Sequence, residues 1–142
     1  MLIKLLPNQI PTYKEVIDAA IDASLPNFEE RIRTDLYKEL LLDTAQAWIY
    51  HNLEGKFEGV LITQVRDSIS VGAKTFTLVC IHAPEGTKNE SFIDGWPTLQ
   101  AFGKKNGCEI FDFYTDNPET IKYARLFDII WETKYFQIDI NK

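Results

Sequence analysis

The chain has 142 residues, of which 45% are hydrophobic and 25% charged, and its formal net charge at pH 7 is -6. Its length predicts one domain with its own core (residues 1–142), and its apolar runs are far shorter than the ~20 residues that cross a bilayer. The acidic charge disfavours nucleic-acid binding. Cys80 and Cys108 lack disulfide or metal spacing, so we expect reduced thiols in a soluble, cytoplasmic protein.

The first part of the chain predicts a strand followed by two helices. Residues 2–6 are mostly apolar and predict a short strand. Thr12 and Glu15 have the spacing of a capping box, which predicts a helix from there to about Ser24. A second helix is predicted from about Asn27, because apolar residues recur at every fourth position. These residues are Phe28, Ile32, Leu36 and Leu40.

Three segments in the middle of the chain change to a strand-like pattern. They are residues 45–50, 57–66 and 74–83, all rich in β-branched and aromatic side chains. Short polar segments that contain Gly55 and Gly72 separate them, as expected of turns. The pattern therefore predicts an antiparallel meander.

A third helix is predicted over about residues 91–106, with Gly107 suited to the position after its last turn. Pro97 falls inside this range. The helix therefore either begins at Trp96, with Pro97 in its first turn, or begins earlier and is kinked.

The last part of the chain predicts a strand, a helix and a strand. Residues 109–115 form the first of these strands, and the helix starts at Asn117 and Pro118. Residues 133–140 alternate between polar and apolar side chains, which is typical of a strand. The fold class is thus α/β (α+β), with the order β-α-α-β-β-β-α-β-α-β.

This order resembles the GNAT N-acetyltransferase superfamily over essentially the full chain. Two further details add to the resemblance: the aromatic strand over residues 107–117 ends in Asn117, and the following helix has Thr120, Ile121 and Ala124 at the family's spacing. The resemblance implies a GNAT-like fold, with a mixed sheet and helices on both faces, whose usual ligand is acetyl-CoA.

The loop that binds the cofactor departs from the family's pattern. Active members carry [Gln/Arg]-x-x-Gly-x-[Gly/Ala], whose small residues let backbone amides approach a pyrophosphate. Aligned on Gly86, this chain has Ala83 at the first position and Lys88 at the last, and Glu85 and Glu90 add negative charge. The comparison predicts a degenerate loop. If the cofactor does bind, the resemblance implies contacts from these residues: Ala83, Gly86, Thr87, Lys88 and Asn117.

Two more departures lie in the last helix. The family's frequent proton donor, a tyrosine seven residues after the helix-opening Asn, is matched by Ala124, and Tyr123 points about 100° away on a helix. The glycine that ends this helix is matched by Asp128, which would be strained in a left-handed turn.

Acyl transfer from CoA would need a base for the amine and a proton donor for the leaving thiolate. The candidate bases are His82, at the end of the central strand, and Asp112, on the fifth strand. The candidate acids are Tyr114 and Tyr123. The alternative for each is an ordinary role, as an exposed strand-end histidine or as polar residues near a helix cap.

These features predict a GNAT-like protein without a bound cofactor, which acts as a structural or interaction protein. The helix with Asn117, Thr120 and Tyr123 resembles that of phage virion-associated GNAT-fold proteins, which implies location in a virion. A protein partner or self-association is then expected, through the edge strand at residues 133–140. The alternative is an acyl-CoA-dependent N-acyltransferase with an atypical pyrophosphate loop, which would bind acetyl-CoA or CoA. No metal is expected with either, because no His/Cys cluster is present.

Overall fold

A computed structural model describes residues 1–24, 30–68, 72–86, 89–115, 118–129, 132 and 138–141. The described elements include both strands and helices and confirm the predicted fold class. In chain order they are β1 (Leu2–Lys4), a 3₁₀ helix (Pro7–Tyr13), α1 (Lys14–Ser24), α2 (Glu30–Leu41), β2 (Ala45–His51), β3 (Phe57–Ser68), β4 (Ala73–His82), α3 (Asn89–Lys105), β5 (Ile110–Asp112) and α4 (Pro118–Ala124).

The five strands form one mixed sheet in the order β1-β2-β3-β4-β5. Strands β1 to β4 pair antiparallel, which confirms the meander, and β5 is parallel to β4. The register between β3 and β4 shifts between the pairs Ile62–Cys80 and Thr63–Leu78. Val79 is therefore an extra residue on β4, and such a β-bulge bends the strand and re-aims its side chains.

Each face of the sheet is covered by helices. On one face, α1 and α2 bury apolar side chains against the strands, among them Ile17, Ile21, Leu40, Ile49 and Ile62. On the other face lies α3, with an aromatic-rich core formed by Leu2, Trp48, Phe76 and Leu99, against which Phe102 and Phe111 pack. The predicted placement of helices on both faces is thus confirmed.

The beginnings of the first two helices differ from the prediction. Thr12 and Glu15 do not form a capping box, because Thr12 lies within the 3₁₀ helix and α1 begins only at Lys14. At the start of the 3₁₀ helix, the Gln9 side-chain oxygen accepts a hydrogen bond from the Leu6 N–H. In α2 the predicted apolar stripe is only partly buried: Ile32 is 41% exposed. Residues 25–29, where the second helix was predicted to begin, lie outside the described part.

Helix α3 begins at Asn89, so neither Ser91 nor Trp96 is its first residue. Pro97 is tolerated inside it on the exposed side of the helix. The end of the helix is as predicted, since Gly107 has φ +75°, a conformation that glycine adopts without a steric penalty.

Two predictions about the C-terminal part meet different outcomes. Asp128 is not strained, since Asp43 is the single described non-glycine residue with positive φ. Of the predicted final strand, residues 133–137 lie outside the described part. Ile138 and Ile140 are described, are not in a strand and are 90% and 93% exposed. An edge strand that could recruit a partner therefore stays a prediction, and the described residues 138–141 at its end do not belong to a strand.

Candidate active site

Strands β4 and β5 pair over only three residues each. The pairs run from Thr75 with Ile110 to Thr77 with Asp112. Beyond them, β4 continues to His82 while β5 ends, so within the described residues the second half of β4 has no partner on that side. Ligands in mixed and parallel sheets bind where carboxyl ends of neighbouring strands diverge. We call this segment, residues 78–82, the open edge of β4.

One side chain already occupies part of the open edge. The Ser24 hydroxyl, at the end of α1, accepts a hydrogen bond from the Ile81 N–H at 3.0 Å and donates one to the Ile81 carbonyl oxygen at 3.0 Å. A single hydroxyl thus replaces the backbone of a neighbouring strand. Because unpaired backbone groups are costly when buried, Ser24 stabilises the open edge while no ligand is paired with it.

The buried thiol next to Ile81 does not supply a nucleophile. Cys80 lies in the core beneath α1, and burial raises its pKa to about 12. Since the thiolate is the reactive form, this thiol is inert at neutral pH. Cys80 is therefore a core residue of the sheet.

The junction between β4 and α3 is a tight turn. The Gly86 N–H donates to the Ala83 carbonyl oxygen at 2.9 Å, and Gly86 has φ +85°. Glu85 lies within this turn, where it is exposed and forms an ion pair with Lys56 at 3.2 Å. Its negative charge is therefore partly compensated, which weakens one of the two arguments for a degenerate loop. Thr87, Lys88 and Asn117 lie outside the described residues.

A carboxylate lies beside the first turn of α3. Glu58 Oε2 accepts a hydrogen bond from the Ser91 hydroxyl at 2.9 Å, and Asn52 donates to its other oxygen at 3.2 Å. A negative group near a helix N-terminus is favourable, because the helix dipole is positive there. Any anionic ligand at this junction would meet the charge of Glu58.

A cavity of about 70 Å³ lies between the sheet and the first half of α3. Its walls are almost entirely apolar, and His82, Gly86 and Ser91 border it near the junction. Its position links the junction to the open edge. The apolar wall is formed mainly by Leu61, Leu78, Ile81, Trp96, Leu99 and Phe111.

The two candidate bases lie at opposite ends of the open edge. His82 is half-buried at the end of β4, where Gly59 makes room for it: a Cβ on Gly59 would lie 3.0 Å from the His82 carbonyl oxygen. Asp112 lies at the start, where the Thr77 hydroxyl donates to its Oδ1 at 2.6 Å. His82 lies five positions after Thr77 on β4, so the two residues are on the order of 15 Å apart. The structure therefore does not bring His82 and Asp112 together.

The two candidate acids are on separate elements. Tyr114 follows β5 and is 67% exposed, while Tyr123 is half-buried on α4. Ala124, the position at which the family carries its tyrosine, is the last residue of α4. That one of these two hydroxyls is the proton donor at the open edge stays a prediction.

Sequence reasoning missed Ser24 and Glu58, which contact the open edge and the α3 start. Ser24 acts on backbone groups of Ile81, 57 residues away, and backbone donors leave no mark in a sequence. Glu58 is the second residue of β3, and its proximity to Ser91 depends on how α3 packs over the sheet. The glycine pattern of the loop was the only local signal for this region.

No family model matches the sequence, and no curated protein matches it. Solved structures do match over nearly the whole chain. A probable acetyltransferase superposes with a TM-score of 0.71 at 13% identity, over 99% of this chain and 97% of that one. The enzyme AAC(6′)-Iy, in complex with the bisubstrate analog CoA-S-monomethyl-acetylneamine, gives a TM-score of 0.68 at 14% identity, over 98% and 97%.

The chain has the GNAT fold. A third structure, an aminoglycoside acetyltransferase from an uncultured soil metagenomic sample in complex with sisomicin, agrees with a TM-score of 0.67, 16% identity and 98% and 96% coverage. These identities are low, so the likeness shows the fold and not the activity. The resemblance to acetyltransferases is thus confirmed for the architecture, while the degenerate loop and the resemblance to phage proteins stay predictions.

The described part of the chain contains neither a candidate membrane-spanning helix nor a candidate metal-binding cluster. No helix there is long and apolar enough to cross a membrane. Among the same residues, no three His, Cys, Asp or Glu side chains gather as they would around a metal ion.

Proposed function

We propose that the protein is an acyl-CoA-dependent N-acyltransferase with an atypical pyrophosphate loop. The observation that carries this proposal is the open edge of β4, which ends at a tight turn and the N-terminus of α3. A similar structure with a CoA-containing bisubstrate analog adds support.

The residues of the open edge fit such a cofactor in part. The first turn of α3 has backbone amides without partners inside the helix, which suit phosphate oxygens. The N–H and carbonyl groups of Ile81 could pair with amides of a ligand, provided that the Ser24 hydroxyl rotates away. Glu58 opposes the phosphates through its charge, so we expect weaker cofactor binding than a neutral residue would allow.

Asp112 is the better placed of the two candidate bases. A long ligand that is anchored by its phosphates at the α3 N-terminus has its other end near the start of the open edge, where Asp112 lies, and away from His82. The Thr77 hydrogen bond orients the carboxylate through Oδ1 and leaves Oδ2 for an amine. An acyl-CoA supplies the acyl group in activated form as a thioester. Asp112 would hold the amine and accept its proton, and Tyr114 or Tyr123 would be the proton donor.

The first experiment is a thermal-shift titration with acetyl-CoA, followed by an acyl-transfer assay on a panel of primary amines. A ligand at 100 times its Kd adds about 2.7 kcal/mol, which raises Tm by about 8 °C at this size. Asp112→Asn should keep most of this shift and lose at least about 100-fold in kcat/KM, because the amide cannot accept a proton. Glu109→Gln, an exposed residue just before β5, is the matched control and should change neither.

The competing prediction is a structural or interaction protein, including one in a phage particle. It requires no CoA binding and a defined oligomer or co-purifying partner. Absence of a thermal shift at millimolar acetyl-CoA, together with such an assembly, would refute the enzyme proposal. A full shift with amine acylation would refute the structural one.

A further inference from the structure

We propose that the cavity under α3 binds the hydrocarbon chain of the acyl group, so that the preferred donor carries about six to eight carbons rather than two. This inference rests on the proposed function, because the chain would arrive as an acyl-CoA. It concerns the choice of acyl group and leaves the amine acceptor open.

The chemistry of the wall favours a hydrocarbon. Leu61, Leu78 and Leu99 line the cavity and offer no side-chain hydrogen bond to a polar ligand in its interior. Burying a polar group without a partner is unfavourable, whereas each buried methylene is favourable. An amine acceptor therefore does not suit this space.

Two of the polar side chains that border the cavity, those of Glu58 and Tyr50, already have partners. Glu58 accepts from Ser91, and the Tyr50 hydroxyl donates to Asp94 Oδ2 at 3.2 Å. Within the described residues no buried side-chain nitrogen or oxygen lacks a partner. The cavity thus contains no orphaned polar atom that would call for a polar ligand.

The volume sets the length of the chain. One water-sized group needs about 10 to 15 Å³ of such space, so a cavity of about 70 Å³ holds about five to seven groups of that size. The methyl group of an acetyl would leave most of it empty. A hexanoyl to octanoyl group, which carries about five to seven carbons beyond its carbonyl, would fill it.

The position of the cavity connects it to the proposed reaction site. Leu78 and Ile81 belong to the open edge of β4, and Phe111 lies on β5 next to Asp112, just before the two strands separate. All three line the cavity. Because successive side chains of a strand point to opposite faces, Phe111 faces the cavity and Asp112 the other side of the sheet. An acyl group in the gap between the two strands can therefore meet Asp112 on one side and direct its tail to the cavity on the other.

The test measures the affinities of CoA and of acetyl-, butyryl-, hexanoyl- and decanoyl-CoA by isothermal titration calorimetry. Gly95→Ala narrows the cavity by one methyl group, and its Cβ would contact Leu2 at ordinary distances of 3.6 and 3.8 Å. Gly103→Ala is the matched control: the same change on the same helix, outside the cavity, with its nearest contact to Phe76 at 3.4 Å. Both remove a glycine from a helix interior, which favours folding.

We expect the affinity of the wild-type protein to rise about fourfold per added methylene up to hexanoyl-CoA and to fall for decanoyl-CoA. Gly95→Ala should weaken hexanoyl-CoA by about fourfold or more and leave CoA and acetyl-CoA unchanged, whereas Gly103→Ala should leave the whole series unchanged.

Equal affinity for all chain lengths would overturn the inference and leave the proposed function intact. So would an equal loss for CoA and hexanoyl-CoA in Gly95→Ala, because the cavity would then hold another part of the cofactor. If none of the five ligands binds, the proposed function fails, and the inference fails with it.

Discussion

Replacing Ser24 by alanine tests whether a single hydroxyl stabilises the open edge of β4. The change removes two hydrogen bonds of 3.0 Å to the Ile81 backbone, each of which contributes about 1 kcal/mol. Their site is part-buried, so water can replace them only incompletely. We expect Ser24→Ala to lower the free energy of unfolding by about 2 kcal/mol and Tm by about 6 °C.

The assay is urea unfolding followed by tryptophan fluorescence, with native-state hydrogen exchange of the Ile81 amide as a local readout. Thr34→Ala is the matched control, because the Thr34 hydroxyl also donates to a backbone oxygen, that of Glu30, but within its own helix and in an exposed position. It should change stability by less than about 0.5 kcal/mol. If Ser24→Ala unfolds like the wild type and Ile81 stays protected from exchange, the account of the open edge is wrong.

Ser24→Ala should also change the affinity for the ligand, and in the opposite direction to its effect on stability. If the cofactor pairs with Ile81, the Ser24 hydroxyl competes with it, and the alanine variant should bind CoA more tightly than the wild type does. The gain should be on the order of tenfold, since about 1.4 kcal/mol corresponds to a factor of ten. A variant that is less stable but binds CoA better would distinguish this competition from general damage to the fold.

Three further predictions concern stability. Although burial opposes the shift, hydrogen bonds from Lys14 and Arg33 lower the pKa of Asp18. The contribution of Asp18 to stability is therefore present above pH ~4 and lost as the pH falls further. Asp18→Asn should flatten the acid limb of a Tm-against-pH curve, and an unchanged limb would contradict the assignment. Burial raises the pKa of Cys80 to about 12. Stability should therefore decline as the pH rises above ~9, because the thiol then ionises in the unfolded protein but not in the folded one. Cys80→Ala should remove this decline, even if it lowers Tm at every pH. Gly107→Ala should lower the free energy of unfolding by about 1 kcal/mol in urea titrations, because φ +75° strains a residue with a Cβ; equal stability would mean that the helix end relaxes.

The loop after β4 shows the limits of a motif comparison. The sequence predicted that Glu85 would place its charge beside a phosphate, and the structure pairs that carboxylate with Lys56, the residue just before β3. Lys56 is 29 residues away, and only the pairing of β3 with β4 brings the two together. A count of charges along a loop does not include such partners.

The sequence by itself determined the α helices and strands β1 to β5, the central meander and the end of α3. The β-branched and aromatic content of β2 to β4 and the glycine just after α3 are signals between near neighbours, and local sterics decide them wherever the chain packs. Tertiary structure alone decided that β5 leaves β4 after Asp112, that Ser24 binds Ile81 and that a cavity remains beneath α3. These depend on backbone groups and packed surfaces from distant parts of the chain, and a backbone N–H is the same at every residue except proline.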